Sequence, residues 1–344
     1  PITIWPFPER ELREICKTAK RMLVAEHNGG QILLEVERIV KGACAVDFIG
    51  RLNGTVITPQ EILKKLEEAE QMVNTGDMSV NPGNTSTLVY KYMRPEHLPH
   101  IWCPGCGNGI IMRDVAQAIE NLGLSRNKTV IVSGIGCSSR AAGYLDFNTI
   151  HTTHGRAIAF ATGIKLANPE LEVIVLAGDG DISAIGGNHL IHAARRNIGL
   201  TVVVFNNEIY GMTGGQYSPT TPRGDYGTTA PYGNFDRSFD IAGLAYGAGA
   251  SYAARGSAYH VQQTISLIQE GIRHQGFSII DVASVCPTYY GRKNHKGSAV
   301  DMMKWQKENA VTQEQANKMT PDELRGKLII GLLHQVQYPE FTYE

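Results

Sequence analysis

The stretch that decides the fold is Val173-Ile-Val-Leu-Ala-Gly-Asp-Gly-Asp181, taken together with Thr201-Val-Val-Val-Phe-Asn-Asn207. Each half opens on a continuous apolar, β-branched run and ends abruptly on small or polar residues. Such runs are strands buried on both faces, as in a parallel sheet covered by helices. From Gly178 to Asn206 is 28 residues, the length of one strand–helix–strand unit. Asp179 and Asn207 are therefore expected at the carboxyl ends of two parallel strands, where such sheets bind ligands. The glycines let a phosphate approach the backbone and leave its N–H groups free. A carboxylate, an amide oxygen and a backbone carbonyl are hard ligands suited to an octahedral Mg²⁺ shared with a diphosphate. Asp181 either stands behind this set or caps the helix that follows.

Working outward, strands are expected at Thr129–Ser133 and Ser278–Ala283. Helices are expected near Gly107–Leu122, Gly155–Ala167, Ile185–Arg196 and Ala258–His274. The alternation gives an α/β class with a parallel sheet and helices on both faces. Residues 1–75 read as a small α/β front segment: a helix over Pro8–Ala19, a strand over Arg21–Glu26 and a turn at Asn28–Gly30. A helix over Gln31–Val40 and a strand over Ala45–Ile49 follow. Thr58-Pro59-Gln60-Glu61 is a capping box that opens another helix. Residues 76–100 read as a linker, 101–295 as the main domain, and 296–344 as a helical tail with helices at Ala299–Asn309 and Pro321–Leu333.

Six cysteines punctuate the 344 residues. Cys16 and Cys44 sit among apolar neighbours and read as core. Cys103-Pro104-Gly105-Cys106, Cys137 and Cys286 each lie beside an expected strand end or helix start, so the fold can gather them. Four thiolates suit a 4Fe–4S cluster or a structural Zn²⁺, and Cys286-Pro287 mildly favours iron. The plainer alternatives are a redox dithiol or buried small side chains.

Composition narrows the classes. Lys plus Arg is 32 and Asp plus Glu is 33, so no cationic field is available for nucleic acid or an anionic membrane. No apolar run is long enough to span a bilayer, and the opening residues do not read as a signal peptide. A cytoplasmic protein is expected. Of the 37 glycines, 24 fall between Gly105 and Gly256, where the loops around the expected diphosphate site lie.

The combination of Gly178-Asp-Gly-Asp181, Asn206-Asn-Glu-Ile-Tyr-Gly-Met-Thr-Gly-Gly-Gln216 and the four cysteines resembles the thiamine-diphosphate-binding β subunits of 2-oxoacid:ferredoxin oxidoreductases. Trp102-Cys-Pro-Gly-Cys-Gly-Asn-Gly109, Ser133-Gly-Ile-Gly-Cys-Ser-Ser-Arg140, His151-Thr-Thr-His-Gly-Arg-Ala157 and Cys286-Pro-Thr-Tyr-Tyr-Gly-Arg-Lys-Asn294 extend it over about 93–305. Among subfamilies the chain is most similar to the 2-oxoglutarate subunit, with the branched-chain and pyruvate enzymes as alternatives. Residues Ile4–Pro8, Glu26–Gln31, Glu35–Arg38 and Gly54–Ile62 resemble the C-terminal end of the α subunit. Met78 then looks like a β-subunit start. That order implies either a fusion or two pieces numbered as one, and Pro1 suggests truncation or processing.

The resemblance implies CoA-dependent oxidative decarboxylation of a 2-oxoacid, or its reverse, with electrons leaving singly through one 4Fe–4S cluster to ferredoxin. It implies Mg²⁺ on Asp179, Asn207 and the Ile209 carbonyl, and the cluster on Cys103, Cys106, Cys137 and Cys286. Cofactor contacts are implied for Gly105, Gly178, Asp179, Gly180, Asp181, Asn207, Gly211, Met212 and Thr213. Tyr210–Gln216 is expected to loop over the diphosphate. Arg140, His151, His154 and Arg156 are candidates for the substrate or cofactor. The Glu that activates the aminopyrimidine is expected on the α partner, with further small subunits as additional expected partners, so this chain alone should be inactive. Two readings of other classes stand beside it: a non-oxidative thiamine decarboxylase or carboligase carrying zinc, and a non-catalytic cluster-bearing module.

Overall fold

The computed structural model describes residues 8–26, 31–40, 43–50, 57–75 and 85–343. The chain divides into two units, Pro1–His100 and Ile101–Glu344.

In the first unit, α1 (Glu9–Ile15), β1 (Arg21–Glu26), α2 (Gln31–Val40), β2 (Ala45–Gly50), α3 (Pro59–Thr75) and α4 (Thr85–Tyr92) follow in order. Strands β1 and β2 pair in parallel, Arg21 opposite Ala45 through Glu26 opposite Gly50. Cys16, Val24, Leu33, Val36 and Val40 form the core, with Cys44 packed against it, so both front cysteines are core as expected. The Glu26 carboxylate is buried at the start of α2, where it accepts from the amides of Ile32 (2.8 Å) and Leu33 (3.3 Å). It thereby satisfies two of the helix's free donors. The capping box is present: Thr58 N–H donates to Glu61 (2.8 Å) and Glu61 N–H to Thr58 Oγ1 (3.3 Å). The expected turn at Asn28–Gly30 and the first part of the expected linker, 76–84, lie outside the described residues. The rest of that linker is not all loop, since α4 occupies Thr85–Tyr92.

The second unit runs α5 (Asn108–Leu122), β3 (Thr129–Ser133), α6 (Ala141–Tyr144), β4 (Asn148–His151), α7 (Ala157–Ala167) and β5 (Glu172–Gly178). Next come α8 (Gly187–Arg195), β6 (Thr201–Asn206), the hairpin strands β7 (Ile209–Tyr210) and β8 (Gln216–Tyr217), α9 (Ile241–Gly247) and β9 (Tyr252–Ser257). It closes with α10 (Val261–Arg273), β10 (Ser278–Ala283), α11 (Ala299–Asn309), β11 (Ala310–Thr312), α12 (Gln313–Ala316) and β12 (Leu328–Gln335). One sheet orders its strands β11-β12-β9-β10-β6-β5-β3-β4. Strands β4 through β9 along that order are mutually parallel, and β12 joins β9 antiparallel. Val130, Val132, Val173, Val175, Val202, Val204 and Ile279 meet Leu190, Ala194 and Ile241 of the helices in a continuous core.

The expected tail helix at Pro321–Leu333 is not formed. Turns occupy its first part, and Leu328–Gln335 is β12, the second strand from one edge of the sheet. Thr320 and Glu323 do make the reciprocal bonds of a helix start (2.7 Å from Thr320 N–H to Glu323, 3.4 Å from Glu323 N–H to Thr320 Oγ1). Gly326, in the left-handed region at φ +76°, then ends the turn. The strand that follows finds the open edge of β9, and ladder bonds there outweigh propensity.

Candidate diphosphate, metal and thiol site

Strands β5 and β6 are neighbours in register, Gly178 opposite Phe205, so the Gly178–Asp181 turn and the Asn206–Asn207 exit emerge side by side. A π-helical turn, closed by Gly186 N–H to the Asp181 carbonyl (3.2 Å), carries the chain from the motif into α8. Asp179, Asn207 and Ile209 are all buried. Between the last two, Glu208 takes the left-handed backbone conformation, φ 60°, which a non-glycine residue adopts only at a cost. The turn folds the chain back on itself. The Asn207 amide then stands 2.8 Å from the Ile209 carbonyl oxygen and 3.1 Å from Asp179 Oδ1.

With its nitrogen on that side, the amide donates to both oxygens. With its oxygen on that side, three oxygens converge with no proton between them. Ligands held at right angles by Mg²⁺ are about 2.9 Å apart. These residues therefore fit the metal expected from the sequence, since a cation between the three oxygens would satisfy them all. Burial pushes Asp179 up to about 6, and hydrogen bonds from Ser218 and Thr220 work against that rise. Thr220 Oγ1 donates to Asp179 Oδ2 at 2.7 Å.

The thiols converge by a separate set of bonds. Trp102 Nε1 donates to the Cys137 carbonyl (2.6 Å), Gly107 N–H to the Val285 carbonyl (3.0 Å), and Ser284 Oγ to Asn108 Oδ1 (3.0 Å). The first ties the Cys103 loop to the end of β3, and the other two tie it to the end of β10. Burial pushes the Cys106 thiol up to about 12, and Cys286, Cys137 and Cys103 add to the rise. Burial likewise takes Cys137 to about 11, with Cys286 and Cys103 adding to it. The four thiols are thus within electrostatic reach of one another, although among the described residues no three His, Cys, Asp or Glu side chains form a ready single-ion cage. The two donor sets meet at Gly211: a Cβ there would lie 3.3 Å from Cys137 Sγ, 3.8 Å from Cys286 Sγ and 4.0 Å from the Asn207 amide.

The remaining expected residues distribute as follows. A Cβ on Gly178 would meet Ser138 Oγ at 2.9 Å, and the Tyr210 ring lies over Gly180. Tyr210–Gln216 spans a hairpin: β7 and β8 pair at its ends, and residues 211–215 form the loop between them. The Met212 backbone amide faces Cys137, whereas Thr213 Oγ1 turns to Gln216 Oε1 (2.5 Å). Gly105 packs on Ala299 of α11. Arg140 is exposed, with its charge acting on Cys137. His151 Nδ1 is 3.2 Å from Ser133 Oγ. Arg156 lies outward, its guanidinium on the Ile185 carbonyl (3.3 Å). His154 Nδ1 is 2.8 Å from Asp181 Oδ1.

Four contributors carry no signal in the sequence. Ser218 and Thr220 reach Asp179 from beyond the hairpin. Tyr290 contacts Glu208 and donates to Asp225, while Lys296 pairs with Asp225 at 3.2 Å. Burial first, then the Asp179 and Asp225 charges, push Glu208 up to about 7, against the Tyr290 hydrogen bond and Lys296.

Residues 134–282 match the family described as thiamine pyrophosphate enzyme, C-terminal TPP binding domain, and residues 1–62 match pyruvate:ferredoxin oxidoreductase core domain II. Fold and site together define the cofactor-binding half of a thiamine-diphosphate enzyme. The 2-oxoglutarate synthase subunit KorB of Methanothermobacter marburgensis is 55% identical over 250 residues, covering 73% of this chain and 88% of its own length. The KorB subunit of Methanocaldococcus jannaschii is 53% identical over 254 residues, 74% of this chain and 94% of its own. The chain belongs to the KorB-type β subunits of the 2-oxoacid:ferredoxin oxidoreductases. It is also similar to a solved 2-oxoglutarate:ferredoxin oxidoreductase from Magnetococcus marinus with 2-oxoglutarate, coenzyme A and succinyl-CoA bound. That similarity has a TM-score of 0.66 and 34% identity, and covers 74% of this chain and 86% of the other. Among the described residues no helix is long and apolar enough to cross a membrane.

Proposed function

We propose that this chain, with an α partner, catalyses 2-oxoglutarate + CoA + two oxidised ferredoxins to succinyl-CoA + CO₂ + two reduced ferredoxins + H⁺, or the reverse. The observation that supports this reading is the meeting of two donor sets at Gly211, hard oxygens on one side and thiols on the other. Asp179, Asn207 and the Ile209 carbonyl hold Mg²⁺ on the cofactor diphosphate. Cys103, Cys106, Cys137 and Cys286 hold one 4Fe–4S cluster. The Gly178–Gly180 turn brings backbone to the diphosphate, with Tyr210 packed beside it over Gly180. When bound, thiamine diphosphate supplies an electron sink for decarboxylation. The Met212 amide and the Arg140 charge favour a thiolate at Cys137. Arg140, His151 and His154 supply the polar and cationic groups for a dianionic substrate, whereas Arg156 faces outward. The α partner completes the aminopyrimidine half. Reduced thiols suit the cytoplasm, to which we assign the enzyme.

The test is an anaerobic assay of the complex with CoA and a one-electron acceptor, comparing 2-oxoglutarate, pyruvate and branched 2-oxoacids. Brown protein absorbing near 400 nm and at least a tenfold preference for 2-oxoglutarate are expected. Equal turnover of pyruvate overturns the substrate, and a colourless zinc protein overturns the cluster.

A further inference from the structure

His154 and Asp181 come from different strand ends, beyond β4 and β5. Asp181 is buried, and its Oδ1 gathers three donors: Gly155 N–H at 2.7 Å, Ile135 N–H at 3.4 Å and His154 Nδ1 at 2.8 Å. The carboxylate therefore staples the loops after β3 and β4 to its own. All of that needs one oxygen. The other, Oδ2, is buried without a hydrogen-bond partner. It lies so close to Gly134 that a Cβ there would be 1.9 Å away. Of the three donors, His154 is the side chain; the other two are backbone amides.

A carboxylate only accepts, so Nδ1 carries the proton. Nε2, on the far side of the ring, is then directed away from Asp181. His154 is 29% exposed, and its Nε2 has no hydrogen-bond partner among the described residues. The ring stands edge-on to Tyr210, centroids 5.9 Å apart, and Tyr210 in turn covers Gly180 of the diphosphate turn. The outward nitrogen is thus beside the place where anionic oxygens are expected.

We infer that Asp181 is a positioning residue acting through His154, holding the ring so that Nε2–H donates to an oxyanion in the site. The ring binds that oxyanion as the imidazolium, taking one proton from solvent. Two anions share this chemistry, a cofactor diphosphate oxygen and a carboxylate of the 2-oxoacid. The second source rests on the proposed function; the first requires only that the cofactor binds.

The experiment uses the complex with its α partner. His154→Asn keeps an N–H near the Nδ1 position and removes Nε2; His154→Gln reaches the Nε2 position instead. Magnesium-dependent cofactor affinity is measured by calorimetry, and KM and kcat for 2-oxoglutarate by anaerobic turnover. Iron content and circular dichroism report folding. His154→Asn is expected to weaken one quantity at least tenfold, with His154→Gln within threefold of wild type. A change in cofactor affinity assigns the diphosphate; a rise in KM with kcat nearly unchanged assigns the carboxylate. Asp181→Asn should reproduce the same defect while His154 remains. Unchanged affinity and KM in His154→Asn overturns the inference, as does equal damage in both His154 variants. A wild-type complex that binds cofactor but ignores 2-oxoglutarate overturns the proposed substrate and leaves the cofactor arm to decide this inference.

Discussion

A methyl group on Gly211 would lie 3.3 Å from the Cys137 sulfur, closer than carbon and sulfur ordinarily rest. The hairpin crosses between the thiols and the oxygen ligands only because this residue has no side chain. Gly211→Val is expected to lose more than half of the iron per chain while far-ultraviolet circular dichroism is unchanged. Full iron content in that variant would separate Gly211 from the thiol set.

Thr220→Val removes the hydroxyl that donates to Asp179 at 2.7 Å while keeping its bulk. Groups that orient a metal ligand typically change affinity by about 10–100-fold. The half-saturating Mg²⁺ concentration for cofactor binding should rise about tenfold, whereas Thr220→Ser should restore most of it.

Trp102 packs edge-on against Tyr144, centroids 5.3 Å apart, and donates to the Cys137 carbonyl at 2.6 Å. Trp102→Phe retains the ring contact and strands the carbonyl, costing about 1–2 kcal/mol. Faster loss of the 400 nm band in air, with a modest fall in melting temperature, is the expected outcome.

Much of this was legible in the sequence. The apolar strands announce themselves, and Gly178-Asp-Gly-Asp181 with Asn206-Asn207 carries its own geometry. The strands toward the β11 end of the sheet were not legible. β9 reads Tyr252-Ala-Ala-Arg-Gly-Ser257, without alternation or β-branching. In β12, Gly331 at φ +108° and a register shift between Leu332 and His334 erase the period. Thr320 and Glu323 form a sound helix start, but tertiary pairing further on overrides it. Ser218, Thr220 and Tyr290 act across long sequence separations, for which no spacing rule exists.

Arg255 on β9 pairs through Nε with buried Asp281 at 3.1 Å, bonds Asp240, and donates to the Ile329 carbonyl of β12 at 3.4 Å. Asp281 in turn accepts from Asn206 at 3.0 Å, next to Asn207. Arg255→Met leaves a buried carboxylate uncompensated. Because the guanidinium is partly open and Asn206 remains, the loss should be about 2–3 kcal/mol in urea unfolding. Arg255→Met combined with Asp281→Asn should recover part of it.

Burial lowers the pKa of His274, whose Nε2 lies 2.7 Å from Ser251 Oγ and whose Nδ1 has no partner. A lowered histidine favours the neutral form when folded. Below about pH 6.5 the unfolded chain binds the proton first, so stability falls as pH drops through that value toward the folded pKa. His100, His189 and His260 shift in the same direction and share the slope. His274→Gln should flatten the decline between pH 7.5 and 5.5 without abolishing it. A slope identical to wild type would remove His274 from the account.

The bonds from Trp102 to Cys137, Gly107 to Val285 and Ser284 to Asn108 run through indole, amide, hydroxyl and carbonyl groups, with no sulfur taking part. The Cys103 loop is therefore fastened to the ends of β3 and β10 by polypeptide groups alone. In a small zinc finger the ion itself holds the shape; here the thiols are brought together by ties that do not pass through them.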